Sequence, residues 1–226
     1  MTKRILQFIL VVLALVSLVM GIILFLSAKT TNEQRIFTSE EISNLQEISL
    51  EGNFDVNVTS SDSKEVKCSF SKVKRGYISN EYELESKIEN NVLYVKTNSE
   101  KASGVVIGSE ALILNIDIPK SYENKLSIKS ELSKISILNS KSKDIQCNVD
   151  DSNIKISLDD ICGNINVNAN LGDIDLKLPK DQKFNLSAKS HLGKVTNNLD
   201  SNVDSSIREK NINLSSSDGD ITISGK

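Results

Sequence analysis

The stretch Leu126-Ser-Ile128-Lys-Ser130 decides the fold, because its alternation of apolar and polar residues recurs to the end of the chain. Four later copies occupy residues 145–149, 165–169, 184–188 and 212–216. Each copy is followed by a turn and a second alternating phrase, and these second phrases begin at Ile135, Ile154, Ile174, Val195 and Ile221. Successive copies start about 20 residues apart, with one longer step before residue 212.

A fixed period of this size is typical of stacked repeats, because a single pair of strands cannot bury its apolar face alone. Alternation with a period of two places Ile, Leu and Val on one face of each strand and Asn, Ser and Lys on the other. The sequence therefore predicts an all-β fold, a single-stranded β-helix (β-solenoid) of ~20-residue coils that stack in the order of the chain.

Two columns of the predicted stack allow further structural predictions. Short polar residues form an outer column that can hydrogen-bond along the stack, namely Ser127, Gln146, Asn166, Asn185 and Asn213. The third inward position suits a corner at which the chain bends, because it is small in every copy except Val149; its small residues are Ser130, Ala169, Ala188 and Ser216. We expect residues 196–210 to be an insertion that loops out of the stack.

The amino-terminal half of the repeat region alternates in the same way with a looser period. We expect strands at 48–58, 66–70 and 111–118, and we interpret this half as the first coils and the cap of the solenoid. A hairpin should join 82–88 to 92–97 through two Asn residues, which tolerate the positive φ of a tight turn. The apolar, glycine-flanked residues 103–108 predict either a short strand or an exposed apolar contact patch.

The first residues of the chain predict a membrane anchor. Residues 8–26 carry no charge and approach the ~20 residues that cross a bilayer as a helix. A pair of basic residues precedes them, and positive charge tends to stay in the cytoplasm. We therefore divide the chain into a cytoplasmic tip and transmembrane anchor at 1–28, a spacer at 29–44 and an extracytoplasmic β-solenoid domain at 45–226. This division predicts a single-pass protein of the cell membrane. A cleaved signal peptide is the alternative, although its apolar core usually has only ~7–15 residues.

The composition of the chain argues against one class of partner. The chain has 27 basic and 30 acidic residues, and no basic patch with interleaved aromatic residues appears, so nucleic acid is disfavoured as a partner.

Cys68 and Cys147 fall on the apolar phase of strands, and we expect both to be buried. Cys162 lies at a bend, and a Cys147–Cys162 disulfide stays an open alternative because it requires a specific geometry.

No residue pattern identifies a catalytic, cofactor-binding or metal site, so we predict none. His191 is the single histidine and lies at a turn, where a general base would also need an orienting acid and a nucleophile. The residues that precede the second strands form a column of mixed charge, namely Lys134, Asn153, Asp173, Lys194 and Asp220. The densest acidic group lies at the two ends of one strand, which leaves a metal site as a minor alternative; it contains Asp150, Asp151, Asp159 and Asp160.

A motif of the form Ile-x-Leu-x-x-x-x-Gly-Asp-Ile-x-Leu carries a family resemblance, since residues 165–176 and 212–223 match it closely. Together with the strands at 48–58 and 114–119, it resembles the bacterial toast-rack family of adhesin-like proteins (DUF4097-type), which includes LiaG-like proteins. The resemblance covers the chain from about residue 45 to its end. It implies a β-helix-like domain on the outer face of a bacterial membrane. The family has no established catalytic residues, and some relatives accompany cell-envelope stress operons.

Three functional hypotheses follow. The first is a non-enzymatic, membrane-anchored surface protein, an adhesin-like binding module for an envelope polymer or another membrane protein. The second is an accessory protein of a cell-envelope stress response. The third is a polysaccharide-degrading β-helix enzyme, which would need several acidic residues clustered on one flank.

Overall fold

The structure is a computed structural model that describes residues 2–77, 81–100 and 107–226. Its described residues form helix α1 (Thr2–Leu26) and fifteen strands, with a short 3-10 helix at Asp200–Asn202. The strands are β1 (Ala28–Phe37), β2 (Glu47–Glu51), β3 (Asp55–Ser61), β4 (Val66–Tyr77), β5 (Glu81–Glu89), β6 (Val92–Glu100), β7 (Ile107–Pro119), β8 (Lys125–Leu138), β9 (Asp144–Ser157), β10 (Asn164–Leu171), β11 (Ile174–Leu178), β12 (Asn185–Ser190), β13 (Val195–Asn197), β14 (Asn211–Asp218) and β15 (Ile221–Gly225).

The strands form two rows, which β8 and β9 join because each continues from one row into the other. Row A runs in the order β5, β6, β2, the first half of β8, the first half of β9, β10, β14 and β12. Row B runs in the order β1, β4, β7, β3, the second halves of β8 and β9, β11, β15 and β13. The inward side chains of both rows belong to one hydrophobic cluster.

The corner between the rows is visible in the burial pattern of β8. Alternation of buried and exposed residues is interrupted at Glu131 and Leu132, which are both exposed, while Ser130 and Ser133 on either side are buried. This break shifts the phase by one residue, so both halves of the strand direct apolar side chains into the same core. The expectation of a small residue at the corner is confirmed for Ser130.

Parallel, in-register stacking of neighbouring coils is confirmed at the second phrases. Ile154 pairs with Ile135 on one side and with Ile174 on the other, and all three are at most 2% exposed. Aliphatic side chains therefore stack on aliphatic side chains along row B, as the period predicts.

The order of the last coils differs from the prediction. Strand β14 pairs with β10 on one side and with β12 on the other, so the final coil lies between the third and fourth coils. The register places Leu186 beside Ile212, so the fourth copy begins at Leu186 and its corner residue is Ser190. Our assignment of Phe184 and Ala188 to these positions was wrong, because a shift of two residues preserves the inward and outward alternation.

The insertion at 196–210 makes this order attainable, because its length lets the chain cross over β12 before it returns. It does not loop out of the stack. Leu199 is buried, and the Asn202 side-chain amide donates hydrogen bonds to the carbonyl oxygens of Lys180 (2.7 Å) and Gln182 (2.9 Å).

The amino-terminal half combines parallel and antiparallel pairing. Strands β2 and β3 form a coil against β8, with Ile48 beside Leu126 and Val56 beside Ile135. Antiparallel pairs extend both rows beyond this coil, β5 with β6 and β1 with β4 with β7. A single-stranded β-solenoid throughout the chain is therefore not confirmed. Strand β1 also occupies part of the segment 29–44 that we interpreted as a spacer.

The predicted hairpin is confirmed. Strands β5 and β6 pair antiparallel, and Asn90 and Asn91 between them adopt φ values of 51° and 64°. Most of the apolar stretch 103–108 lies outside the described residues.

Helix α1 forms where the sequence predicts a helix. No helix in the described part of the chain combines the length and the apolar character that a membrane crossing requires. The predicted transmembrane anchor is therefore not confirmed.

Candidate binding face

A ladder of asparagine amides covers the outer surface of row A. The Asn168 amide donates to Oδ1 of Asn148 (3.0 Å), and the Asn213 amide donates to Oδ1 of Asn166 (2.8 Å). In the same row, the Asn185 amide donates to Oδ1 of Asn211 (3.0 Å), whose own amide donates to Oδ1 of Asn164 (3.1 Å). We call this surface the amide face; its members are Asn148, Asn164, Asn166, Asn168, Asn185, Asn211 and Asn213.

In-register parallel pairing brings these residues together, because it places like positions of neighbouring coils side by side. The predicted outer column is confirmed for Asn166 and Asn213, which bond to each other. Asn185 bonds to Asn211 instead, which follows from the shifted register of β12.

The ladder leaves some of its hydrogen-bond donors and acceptors free on the solvent side. Each asparagine amide has two N–H donors and an oxygen with two lone pairs. A rung between Asn168 and Asn148 uses one donor of the first and one lone pair of the second, and both side chains are exposed. The remaining donors and acceptors are uncharged and held in fixed positions, which reduces the entropy lost when a ligand binds.

A groove of about 590 Å³ lies where the amide face meets the corner. It is lined by the half-buried Tyr82 and by Asn148, Asn168 and Val149, among other residues. Polar and apolar surfaces thus meet within one concavity, an arrangement common in small-molecule and sugar sites.

One edge of this groove carries a small charge network. Glu51 accepts from Lys96 (3.1 Å) and from Lys129 (3.4 Å). The hydrogen bond from Lys96 lowers the pKa of the Glu51 carboxyl, and Lys129 adds to this effect, while burial opposes it. Glu51 therefore stays ionised near neutral pH, and its charge is balanced within the network.

The column of residues that precede the second strands has a structural role. The Asp173 N–H donates to Oδ1 of Asn153 (3.0 Å), and the Asp220 N–H donates to Oδ1 of Asp173 (2.8 Å). The Lys194 N–H then donates to Oδ1 of Asp220 (2.7 Å). These side chains satisfy backbone donors at the turns of neighbouring coils. The sequence predicted a column of mixed charge at these positions, but it could not predict this bonding, because the bonds follow the observed order of the coils.

The other residues considered for chemistry lie apart from one another. His191 is exposed, and its backbone N–H donates to the Ser216 carbonyl. Asp159 forms an ion pair with Lys226 (2.5 Å), and Asp160 forms an ion pair with Lys141. Within the described ranges, no group of three His, Cys, Asp or Glu side chains is arranged to hold a metal ion.

The three cysteines are free thiols, so the Cys147–Cys162 disulfide is not formed. Cys68 and Cys147 are completely buried, as their apolar phase predicts. Burial raises the pKa of both thiols to about 12.

Row B carries a second, larger groove of about 910 Å³ on its outer surface. Charges of both signs alternate along it, with Lys155 beside Asp175 in the register of β9 and β11. On row A, by contrast, neutral amides occupy the central strands and the charged Lys129 and Lys189 lie at their flanks. We therefore regard the amide face as the stronger candidate site.

Comparisons with known proteins agree with the β-rich architecture. The family model described as Toastrack DUF4097 matches residues 45–177. The solved structure of a "putative cell adhesion protein" from Clostridium sporogenes is 16% identical, covers 88% of this chain and 100% of its own, and has a TM-score of 0.53. A "putative adhesin" from Bacteroides fragilis is 11% identical, with coverage of 89% and 99% and a TM-score of 0.41. At these identities the first structure indicates a shared fold alone. The comparison with curated proteins gives no match.

Proposed function

We propose that this chain, which belongs to the Toastrack DUF4097 family, is a non-enzymatic binding module whose amide face holds a neutral polysaccharide of the cell envelope. The observation that carries the proposal is the ladder of hydrogen-bonded asparagine amides along row A. Sugar hydroxyl and acetamido groups both donate and accept hydrogen bonds, and each rung offers both functions at its outer edge.

The charge distribution favours a neutral polymer over a charged one. The seven members of the amide face are uncharged, and Glu51 beside the groove is paired with Lys96 and Lys129. Glu131 and Asp150 also line the groove, so an anionic polymer would be repelled there. The amides themselves offer no charge that would hold a cationic polymer. Tyr82 in the groove wall adds an aromatic surface against which an apolar sugar face can pack.

We also propose that α1 attaches the module to a membrane, with the strands on the extracytoplasmic side where envelope polymers occur. Its apolar side chains need an apolar cover, because Phe8 is 70% exposed, Leu13 is 59% exposed and Leu18 is 61% exposed. Cell fractionation tests this part. The full-length chain should stay in the membrane fraction after an alkaline wash, and a chain without residues 2–26 should be released.

The binding proposal is tested with the full-length chain in neutral detergent and purified neutral cell-wall polysaccharide. The Asn148→Ala/Asn168→Ala variant removes one rung of the amide face that also lines the groove. A matched control, Asn57→Ala/Asn115→Ala, removes one rung on row B, where the Asn57 amide donates to Oδ1 of Asn115 (2.9 Å). Loss of two hydrogen-bonding groups should weaken binding about tenfold for the first variant.

The control variant should bind as tightly as the unmodified chain. Equal losses in both variants, or no loss in either, would contradict the assignment of the ligand to the amide face. The polymer should also keep its length during incubation, and the release of new reducing ends would instead favour the enzyme hypothesis.

A further inference from the structure

An edge of alternating leucine and aspartate runs along the corner between the rows. Leu132 pairs with Asp151, Asp151 with Leu171, and Leu171 with Asp218 in the registers of β8, β9, β10 and β14. Leu192 continues the line, because its N–H donates to the carbonyl of Ser217, the neighbour of Asp218. We call these five residues the corner ridge.

The leucines of the corner ridge are unusually exposed for apolar side chains. Leu132 is 63% exposed, Leu171 is 47% exposed and Leu192 is 72% exposed. Scattered exposed leucines are common on protein surfaces, but these three occupy one column at every second strand. Neighbouring strands lie about 4.8 Å apart, so the leucines recur every ~9.6 Å along the ridge.

The surface around the corner ridge is acidic. Acidic residues outnumber basic ones among the exposed positions beside it; the acids are Glu131, Asp150, Asp173 and Asp220, and the bases are Lys134 and Lys194. Asp151 and Asp218 within the ridge add two more negative charges. A second copy of this chain would present the same acidic edge, so charge repulsion disfavours pairing of two ridges.

A notch of about 390 Å³ lies at the Leu132 end of the corner ridge. Ala111, Leu112 and Leu132 give it an apolar lining, and Glu110 and Asp151 give it negative charge. Oε1 of Glu110 is buried and accepts no hydrogen bond within the described residues. It forms an ion pair with Nζ of Lys74 at 3.6 Å. Because the exposed Asp151 lies beside Leu132, the notch can take both an apolar side chain and a cation.

We propose that the corner ridge and its notch are the docking surface for an amphipathic, basic α-helix of a second protein. Two turns of a helix advance ~10.8 Å, within about 1 Å of the leucine spacing. An extended strand presents the same face every ~6.6 Å and does not match. Polyproline II repeats at ~9.3 Å, but it is recognised by aromatic-lined grooves, and the five ridge residues include no aromatic. About 13 helical residues span the ~19 Å from Leu132 to Leu192.

The test uses a fluorescent, designed 21-residue peptide of Leu and Lys that forms an amphipathic helix. Anisotropy is measured with the full-length chain in neutral detergent, and protein-free micelles serve as the blank. The variant Leu132→Ser/Leu171→Ser/Leu192→Ser should weaken binding about tenfold or more. The matched control is Leu138→Ser, since Leu138 is 44% exposed but lies outside the ridge; it should bind within about twofold of the unmodified chain.

Charge is tested separately from apolar contact. Asp151→Asn/Asp218→Asn should weaken binding and reduce its dependence on salt, whereas Asp175→Asn on row B should change neither. Because the substituted side chains of the corner ridge are exposed, the melting temperatures of these variants should stay unchanged. Leu171→Ser alone serves as a milder variant. Equal binding by the triple leucine variant and the unmodified chain would overturn the proposal. So would equal binding of a peptide with Glu in place of Lys, or tighter binding of a proline-rich peptide.

Discussion

Shortening Ile156 tests the inward and outward assignment that underlies both proposals. Ile156 is 1% exposed and is stacked between Ile137 on β8 and Leu176 on β11. Lys155, its neighbour, points outward on the same strand. The two substitutions Ile156→Ala and Lys155→Ala therefore probe opposite faces of one strand at adjacent positions.

The two substitutions should change the free energy of unfolding by very different amounts. Removing the buried side chain of Ile156 beyond Cβ should lower the free energy of unfolding by about 2–5 kcal/mol, because the flanking coils cannot collapse fully into the cavity. Lys155→Ala should change it by less than about 0.5 kcal/mol, because the side chain is on the surface. For a chain of this length, 1 kcal/mol corresponds to about 2–4 °C in melting temperature, so Ile156→Ala should melt at least about 4 °C lower.

Thermal unfolding of the full-length variants, followed by circular dichroism in one detergent, measures both effects. A third variant, Ile156→Asp, should prevent folding, since an unpaired buried carboxylate costs several kcal/mol. Equal shifts for Ile156→Ala and Lys155→Ala would contradict the assignment of Ile156 to the core and Lys155 to the surface. A folded Ile156→Asp variant with a normal melting temperature would contradict it as well.

Three further predictions concern the turns and the buried thiols. Gly172→Ala should destabilise the protein by at least about 2 kcal/mol in chemical denaturation, because Gly172 has a φ of +106° and an added Cβ would lie 2.3 Å from the Ser152 carbonyl oxygen. Asp173→Ala should lower the free energy of unfolding by about 1 kcal/mol, since it removes the acceptor of the Asp220 N–H. An equal loss in the control Asp175→Ala would contradict the role of Asp173 as a backbone acceptor. Burial raises the pKa of the Cys68 and Cys147 thiols from 9.0 to about 12, so their stabilising contribution is complete below pH 9 and is lost as the pH rises towards 12. Cys68→Ala/Cys147→Ala should therefore show a shallower loss of stability between pH 9 and 12 than the unmodified chain, and an identical pH profile would refute this assignment.

The parts of the fold that depend on periodicity could be predicted from the sequence. Alternation with a period of two fixes which side chains point inward, and recurrence after about 20 residues aligns Ile135, Ile154 and Ile174. The paired residues Asn90 and Asn91 identify a hairpin because few other residues tolerate positive φ at both positions. These features follow from local chemistry, so a single sequence contains them.

The parts that depend on long-range choices could not be predicted in this way. Alternation is the same in parallel and antiparallel strands, so nothing in β1 or β4 identifies their antiparallel pairing. A shift of two residues keeps every side chain on its face, which is why Phe184 was mistaken for the start of the fourth copy. The position of the last coil between β10 and β12 likewise depends on a crossover that spacing does not encode.

The candidate site also combines features that could be predicted from the sequence with features that could not. The outward amide column was predicted from alternation, and the rung between Asn166 and Asn213 confirms it. The groove beside Tyr82 could not be predicted, because it requires β5 to pack beside the corner of a distant coil. The acids at the turns suggested surface charge, whereas the structure uses Asp173 and Asp220 as acceptors for backbone N–H groups.

Nuclear magnetic resonance of the asparagine side-chain amides can show whether the amide face binds a neutral polysaccharide. The full-length chain, held in neutral detergent, is titrated with a soluble neutral cell-wall oligosaccharide. The NH₂ resonances of Asn148, Asn168 and Asn213 should shift together and saturate, while those of Asn57 and Asn115 on row B stay in place. Shifts confined to the row B pair, or no saturable shift on the amide face, would contradict the account.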